Sequence, residues 1–516
     1  MKNLLTIFAL AAVVFAAGCR RQNTEYVTVA LSEPFSGFDT LTSDKSDAAA
    51  ERVKNLMFNS LVKKSESFDY IGDMASDITA LDDGKTIRFA LRDNIKFHNG
   101  KQFTSADVKY TFDELMKDKD AYKRQAFFDT VDGKPVPHIE AIQLAGAHTV
   151  DFVLARASLR DQLLSNLVAI PIIPEGTVSQ QAESPVGSGP FRFVALDRSQ
   201  STVEMDAFED YWEGAPNVRK LRIKTIADSN ALQNELLNGS VDLAPMPTNL
   251  PPDIIKQLGS IDTLVVEQFV GSNIQYIGFN TQSPPLDKVQ LRQAIGLAID
   301  REKIIAELLS GQGKIAHSIL PESSWAYAPG TQYNYDPERA KQLIKEAQYN
   351  NEPIKFKYSA GSSATNSYAQ AIQASLATVG LNVQIETVDR LTLLSQLSQG
   401  QFQLNTGIWV GGNQDPIFLK DLFTTAKIPG EGVSCCNRSR YSNPEVDKLI
   451  EAATTEVDQE RAKQVYMQAW EIISRDLPLY PLWYPANMVV ANKRIGNIQI
   501  NASGDWSFIK DITVTN

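Results

Sequence analysis

Ile354-Lys355-Phe356-Lys357-Tyr358, Leu381-Asn382-Val383-Gln384-Ile385-Glu386-Thr387-Val388 and Leu404-Asn405-Thr406-Gly407-Ile408-Trp409 are the three stretches that decide the fold. In the second, Leu381, Val383 and Ile385 fall on one face, the period-two pattern of a strand. The first alternates in the same way, and the third reads as a strand of similar length. A helical run up to Val379, closed by Gly380, separates the first two stretches. A shorter helical run from Leu391 to Leu397 separates the second and third. Glycine supplies the left-handed residue that commonly ends a helix. Strand, helix, strand, helix, strand is the pattern of a parallel α/β sheet.

Moving outward, Asp336-Pro337 predicts a helix start, with Asp as cap and Pro at the first helical position. Its buried face is Ala340, Leu343, Ile344 and Ala347. Leu291, Ile295, Ala298, Ile299, Ile304 and Leu308 form a helical apolar stripe in two turns of register, ended by Gly311. Further upstream, Asp82-Asp83-Gly84 is a turn signal before a strand from Thr86 to Leu91, and Asn99-Gly100 is another turn. Thr104 and Asp107 read as the cap and third helical position of a helix running to Met116. Residues 118–140 read as an irregular connection. Residues 184–190, the densest Pro/Gly punctuation in the chain, read as a domain crossing. Tyr26 to Leu31 reads as a strand, and Ser43 to Phe58 as a helix capped by Ser43 or Asp44.

The chain has 516 residues, 43 % hydrophobic and 22 % charged, which excludes fibrous and largely disordered classes and allows two to four domains. A net charge of −11 argues against broad attraction to nucleic acid or anionic lipid. Three cysteines and four histidines cannot build a His-rich metal cage. No Gly-x-Ser-x-Gly elbow, His-Glu-x-x-His or credible Ser/His/Asp set is present, so neither catalytic residues nor a cofactor are expected. A periplasmic hydrolase and a lipid-anchored scaffold are two of the function classes the composition leaves open.

Lys2 precedes an apolar run from Leu4 to Ala17, too short to span a bilayer and suited to an export signal. It ends in Ala16-Ala17-Gly18-Cys19, which resembles the lipobox of bacterial lipoproteins. That resemblance implies a signal peptide over residues 1–18, acylation of Cys19, and a tether over 19–24. The mature protein is then expected at the periplasmic or extracytoplasmic face, anchored by lipid rather than spanning.

Gly72-Asp73-Met74-Ala75, Asp83-Gly84-Lys85-Thr86, Leu91-Arg92-Asp93-Asn94-Ile95-Lys96-Phe97-His98-Asn99-Gly100 and Ser105-Ala106-Asp107-Val108 form an ordered series. Pro185 to Phe191, Tyr211-Trp212, Asn238 to Asp242, Arg292-Gln293-Ala294 and Tyr441 to Asp447 continue it. Together these blocks resemble the extracellular solute-binding proteins of family 5, the oligopeptide, dipeptide and nickel receptors of ABC importers. The resemblance implies an α/β fold of the two-lobe periplasmic-binding-protein type (class II, cluster C) with an extra inserted domain. It places lobe I at 25–59, 185–275 and 484–516, the inserted domain at 60–184, and lobe II at 276–483. It further implies a monomer that binds a peptide or peptide-like solute by hinge closure and partners an ABC permease.

The candidate ligand site is Trp409, Val410, Gly411, Gly412, Asn413 and Asp415. These residues follow a strand, and ligands of α/β lobes sit beyond the carboxyl ends of strands. Trp409 matches a family tryptophan lining the cleft. The acid with which peptide receptors of the family clamp an α-ammonium lies three residues on, where this chain has Gly412. Either Asp415 or another acid takes an amine, or the ligand lacks a free α-ammonium, as a metal chelate or glycan would. Asp44, Lys45 and Ser46 match a loop that meets peptide backbone in the relatives, and Arg390 follows a strand end where it could hold a carboxylate. Tyr276 and Asn280 are further candidates, and His98 reads as a packing residue. Adjacent Cys435 and Cys436 allow a vicinal disulfide, free thiols or intermolecular pairing; the relatives' disulfide in this loop joins separated cysteines.

Overall fold

The computed structural model describes residues 25–515 except 35–36, 45–46, 82, 132–133, 412–413, 431–432, 434–435 and 457. The expected signal peptide, tether and acylated Cys19 therefore lie outside the described residues, as do Lys45, Ser46, Gly412, Asn413 and Cys435.

Two large sheets organise the chain. The first has seven strands in the order Phe191–Asp197, Thr202–Ala207, Lys220–Thr225, Val27–Leu31, Leu243–Pro245, Asn487–Asn492 and Leu264–Phe269. Val27–Leu31 is buried along its whole length and pairs in parallel with strands on both sides. The second sheet has six strands: Gly313–Ile315, Leu479–Pro485, Ile274–Phe279, Leu404–Trp409, Ile354–Ser359 and Val383–Val388. The chain passes between the sheets at residues 270–273 and again at Ala486. These two connections touch: a Cβ on Gly271 would lie 2.0 Å from the Pro485 carbonyl oxygen.

The three strands of 354–409 are parallel neighbours, as their helical connections require. The expectation of a parallel sheet fails beyond them. Ile274–Phe279 pairs antiparallel with both Leu404–Trp409 and Leu479–Pro485, so the sheet is mixed. Those partners come from segments tens to hundreds of residues away, and local periodicity carries no information about them. Other boundaries move for local reasons. The first helix starts at Ala48, not near Ser43, because Asp47 caps it by accepting the Ala49 and Ala50 N–H groups. The stripe 291–308 divides into Val289–Ala298 and a second segment from Arg301, where Asp300 accepts the Lys303 N–H. Residues 118–140 are not irregular: they hold a 3₁₀ turn, the hairpin Phe128–Val131 with Lys134–Pro137, and the start of Ile139–Leu144. Pro135 and Pro137 hid that hairpin; a two-stranded ribbon leaves an outer edge that needs no N–H donor.

The segment between the first helix and residue 190 forms a four-stranded antiparallel sheet, ordered Ala75–Ala80, Thr86–Leu91, Thr149–Leu154 and Ile139–Leu144. The helix Ser105–Lys117 packs on it, and Phe112 meets Phe152 and Phe127 edge-on at 5.0 and 5.7 Å. Asp107 accepts the Thr104 N–H at 3.0 Å, as the sequence pattern predicts, and also the Glu175 N–H at 2.9 Å. Its core is continuous with that of the first large sheet.

The Pro/Gly stretch at 184–190 seals this insertion against the first sheet. Gly189 N–H donates to the Met57 carbonyl at 2.8 Å. His98 stitches the same stretch: its Nδ1 accepts the Gly187 N–H at 3.3 Å and its Nε2–H donates to the Gly189 carbonyl at 2.9 Å. The ring is therefore neutral, and burial pulls its pKa down to about 4. Between pH 6.5 and 4 the unfolded chain binds this proton and the folded chain does not, so stability falls as pH falls through that window. Urea titrations at pH 7, 5.5 and 4.5 are expected to show about 2 kcal/mol of acid destabilisation that is absent in His98→Gln. An unchanged acid slope in the variant contradicts this assignment.

Candidate ligand-binding cleft

A cavity of about 1220 Å³ opens between the two large sheets and the insertion. One wall is the end of the helix Ala48–Met57 with the following strand, contributing Glu51, Lys54, Phe58, Asn59, Lys63 and Lys64. The facing wall is the turn after Leu404–Trp409, contributing Val410, Gly411 and Gln414, with Asn273 of the inter-sheet connection. Val410 is 59 % exposed, a large apolar side chain presented to the cleft. Lys64 Nζ bridges the walls by donating to Gln414 Oε1 at 3.5 Å, and outside the lining Gln459 Nε2 donates to Asp69 Oδ1 at 2.9 Å.

The structure brings Val410, Gly411 and Gln414 to the cleft because Leu404–Trp409 is an inner strand of its sheet. Val410 and Gly411 line the cavity directly. Gly411 adopts φ +74°, and its N–H donates to Asn273 Oδ1 at 3.2 Å. Asp415 is buried; one carboxylate oxygen accepts the Ile417 N–H at 3.0 Å, and the other has no partner. Burial raises its pKa, opposed by the charge of Lys64 from the opposite wall; burial lowers the pKa of Lys64 in turn. Asp415 thus makes a local turn-forming bond and feels the Lys64 charge from the opposite wall.

Trp409 stands behind this turn. Its ring stacks on Tyr276 at 6.1 Å with 16° between planes and takes the edge of Phe418 at 5.0 Å. Its indole N–H is buried and makes no hydrogen bond. The Arg438 guanidinium lies 5.7 Å from the ring centre. Trp409, Tyr276, Arg438 and Cys436 line a small side pocket, and Cys436, which is disulfide-bonded, also borders the large cleft.

Arg390 does not reach the cleft. It opens a helix capped by Asp389 beyond Val383–Val388, the outermost strand of its sheet, and it points to solvent. Asp44 is exposed and outside the cavity lining; the first wall is built a turn or more later, by the helix itself. Asn280 is spent on structure, donating to the Gly400 and Phe402 carbonyls at 3.0 Å each.

Two polar groups of the first wall escaped the sequence reading. Glu51 pairs with Lys54 at 2.5 Å and with Lys123 at 2.6 Å, and both lysines donate to the Ala169 carbonyl. Burial beside a second ammonium drives the Lys123 pKa down to about 7. The i,i+3 spacing of Glu51 and Lys54 was visible; Lys123 enters from the insertion and could not be paired with them from spacing. The second group centres on Lys63, which meets Glu213 at 2.9 Å and Asp73 at 3.8 Å. Asp73 is buried, its pKa is raised by desolvation, and it accepts the Ser60 N–H at 3.0 Å.

Comparison with known proteins gives a consistent picture. The family described as bacterial extracellular solute-binding proteins, family 5 Middle, matches residues 69–429. The chain is 27 % identical over 531 residues to the dipeptide-binding protein of Escherichia coli K12, covering 97 % of this chain and 96 % of that one. It is 26 % identical over 498 residues to heme-binding protein A of Haemophilus influenzae, covering 91 % and 88 % respectively. Among solved structures, the oligopeptide-binding protein AppA of Bacillus subtilis in complex with a nonapeptide superposes with a TM-score of 0.73 at 22 % identity, covering 95 % of this chain and 99 % of that one. The substrate-binding protein CtaP of Listeria monocytogenes superposes with a TM-score of 0.82 at 21 % identity, covering 95 % and 99 %. The last two similarities establish a shared fold.

Proposed function

Since this chain belongs to the bacterial extracellular solute-binding proteins of family 5, we propose that it is the receptor of an ABC importer, capturing a peptide or peptide-like solute between two lobes. The cavity of about 1220 Å³, walled from both sides and bridged by Lys64–Gln414, carries this reading. A solute that touches both walls favours the closed arrangement, and the permease reads that arrangement. Lobe I comprises 25–59, 185–275 and 484–516, the inserted domain 60–184, and lobe II 276–483. The protein acts as a monomer outside the cytoplasm, held by a lipid on Cys19, and transforms nothing chemically. Supporting the hinge assignment, the described chain crosses between the two large sheets at 270–273 and at Ala486, where the two connections touch.

Gly412 favours one refinement: with no acid where the peptide receptors hold an α-ammonium, the solute need not carry one. A metal chelate or an N-blocked peptide satisfies that condition. The test is native mass spectrometry of protein purified from its own host, followed by thermal unfolding with the identified solute. A bound small molecule is expected, and at 100-fold excess over Kd it stabilises by about 2.7 kcal/mol. Protein that carries no solute and gains no stability from free-amine peptides, N-acetylated peptides or metal chelates contradicts the receptor reading.

A further inference from the structure

The insertion opens with a hairpin, Val62–Lys64 paired antiparallel with Tyr70–Gly72. The loop between these strands is closed on itself. Ser65 N–H donates to the Asp69 carbonyl at 2.9 Å, Phe68 N–H to the Ser65 carbonyl at 3.1 Å, and Asp69 N–H to Ser65 Oγ at 3.1 Å. Phe68 adopts φ +64°, a left-handed conformation rare for an aromatic residue, and is only 3 % exposed. Its ring lies 5.9 Å from Lys64 Nζ, while the next side chain, Asp69, reaches away to the helix Gln459–Asp476. A strained, internally bonded loop thus presents Lys64 and Asp69 toward the elements of the second large sheet. Contacts form there at several points. Lys64 Nζ donates to Gln414, and its charge acts on Asp415. One oxygen of Asp69 accepts Gln459 Nε2–H at 2.9 Å, and the other accepts the Ser67 hydroxyl at 2.7 Å. The insertion's turn Ala157–Leu159 runs beside the helix Pro444–Thr455. Burial raises the pKa of the Tyr466 phenol, and the charges of Asp415 and of Asp161 from the insertion raise it further. Both members of every one of these contacts are protein groups, so none of them needs a solute.

Resting on the receptor reading above, we propose that the insertion is the jaw on which lobe II closes, with the hairpin at 62–72 as its latch, so that the empty protein already populates the closed arrangement. Lys64 and Asp69 hold Gln414 and Gln459 when the lobes meet and release them to water when the lobes part. Such a latch acts on the closing equilibrium alone. The apparent affinity of any solute is its intrinsic affinity scaled by the fraction of protein that is closed. The latch therefore tightens binding of every solute by one common factor, and the groups lining the cavity choose among solutes.

Asp69 and Gln459 lie outside the cavity lining, which makes them the place to test the latch. Gln459→Glu sets a second carboxylate against Asp69. Small-angle scattering of the solute-free variant is expected to give a larger radius of gyration than the parent. Calorimetry is expected to show tri-alanine and N-acetyl-tri-alanine weakened by the same factor, about threefold. Adding Asp69→Lys sets opposite charges together and is expected to restore both readings. Lys64→Glu, which turns attraction to Asp415 into repulsion, is expected to open the empty protein further. A Gln459→Glu protein with the parent's radius and affinities overturns the latch, and so does an opening that Asp69→Lys does not reverse. If neither peptide binds the parent, the peptide reading fails, and scattering from the same three variants still decides the latch.

Discussion

Gly187→Ala is expected to separate the insertion from the first large sheet and to abolish solute binding with it. A Cβ at this position would sit 2.1 Å from the Met57 carbonyl oxygen and 2.7 Å from Phe58 Cδ1. Gly189 is equally constrained, its Cβ falling 2.5 Å from the Met57 carbonyl carbon. Backbone cannot yield there cheaply, because Met57 ends the first helix, and the next residues, Phe58, Asn59 and Ser60, line the cleft. The overlap must be relieved by lifting the 187–189 strap, which breaks the Gly189–Met57 and His98 bonds together. A loss of about 4 kcal/mol or more follows, at the severe end of single substitutions. Gly100→Ala is the control: a turn glycine at φ +83° with nothing within 4 Å of a Cβ, expected to cost about 1 kcal/mol. Thermal unfolding and limited proteolysis of the insertion read both. A Gly187→Ala protein as stable as the control contradicts this account of the strap.

Arg292→Met is expected to be comparably damaging, at about 4 kcal/mol, without touching the cleft. Arg292 is 5 % exposed and lies on the helix Val289–Ala298, among the buried residues Leu291, Ala294 and Ile295. Its guanidinium donates to the carbonyls of Leu286, Asp287, Asp476 and Leu477 at 2.9–3.1 Å. Leu477 is the left-handed residue, φ 51°, that ends the long helix Gln459–Asp476 and turns the chain into the strand Leu479–Pro485. The arginine therefore fastens the return segment of the second sheet to the helix above it. Burial lowers its pKa, yet the surrounding carbonyl dipoles and the nearby Asp476 charge keep the cation in place. Methionine fills the volume but takes the donor from four carbonyls, those of Leu286 and Leu477 on buried residues, and each unmatched buried group costs roughly 1–3 kcal/mol before relaxation. Arg292→Lys, with one ammonium for four spread acceptors, is expected to recover less than half of the loss. Chemical denaturation measures both, and a methionine variant within 1 kcal/mol of the parent refutes the clamp.

Local signals were legible wherever a residue's own neighbours satisfy it. Asp336 caps the helix that begins at Pro337 by accepting the Arg339 N–H, and Asp107 takes the Thr104 N–H. Strands Thr86–Leu91 and Leu404–Trp409 stand where alternation or flanking residues put them. Arg292 was not legible as a clamp, because its acceptors at 476–477 lie on another element. Arg438 was missed altogether: nothing in Cys436-Asn437-Arg438 indicates that the guanidinium lies against the Trp409 ring in a side pocket. The reverse error occurred at Arg390. The residue after a strand end is a sound ligand candidate only if the strand is an inner one, and Val383–Val388 is outermost.

The chain alone determined the helices and strands and where many of them stop, because caps, turns and apolar periods act over a few residues. It also carried the ordered blocks that point to a solute-binding family. Tertiary structure alone decided which strands became neighbours and which polar groups met across the cleft. Those outcomes depend on packing between segments tens to hundreds of residues apart.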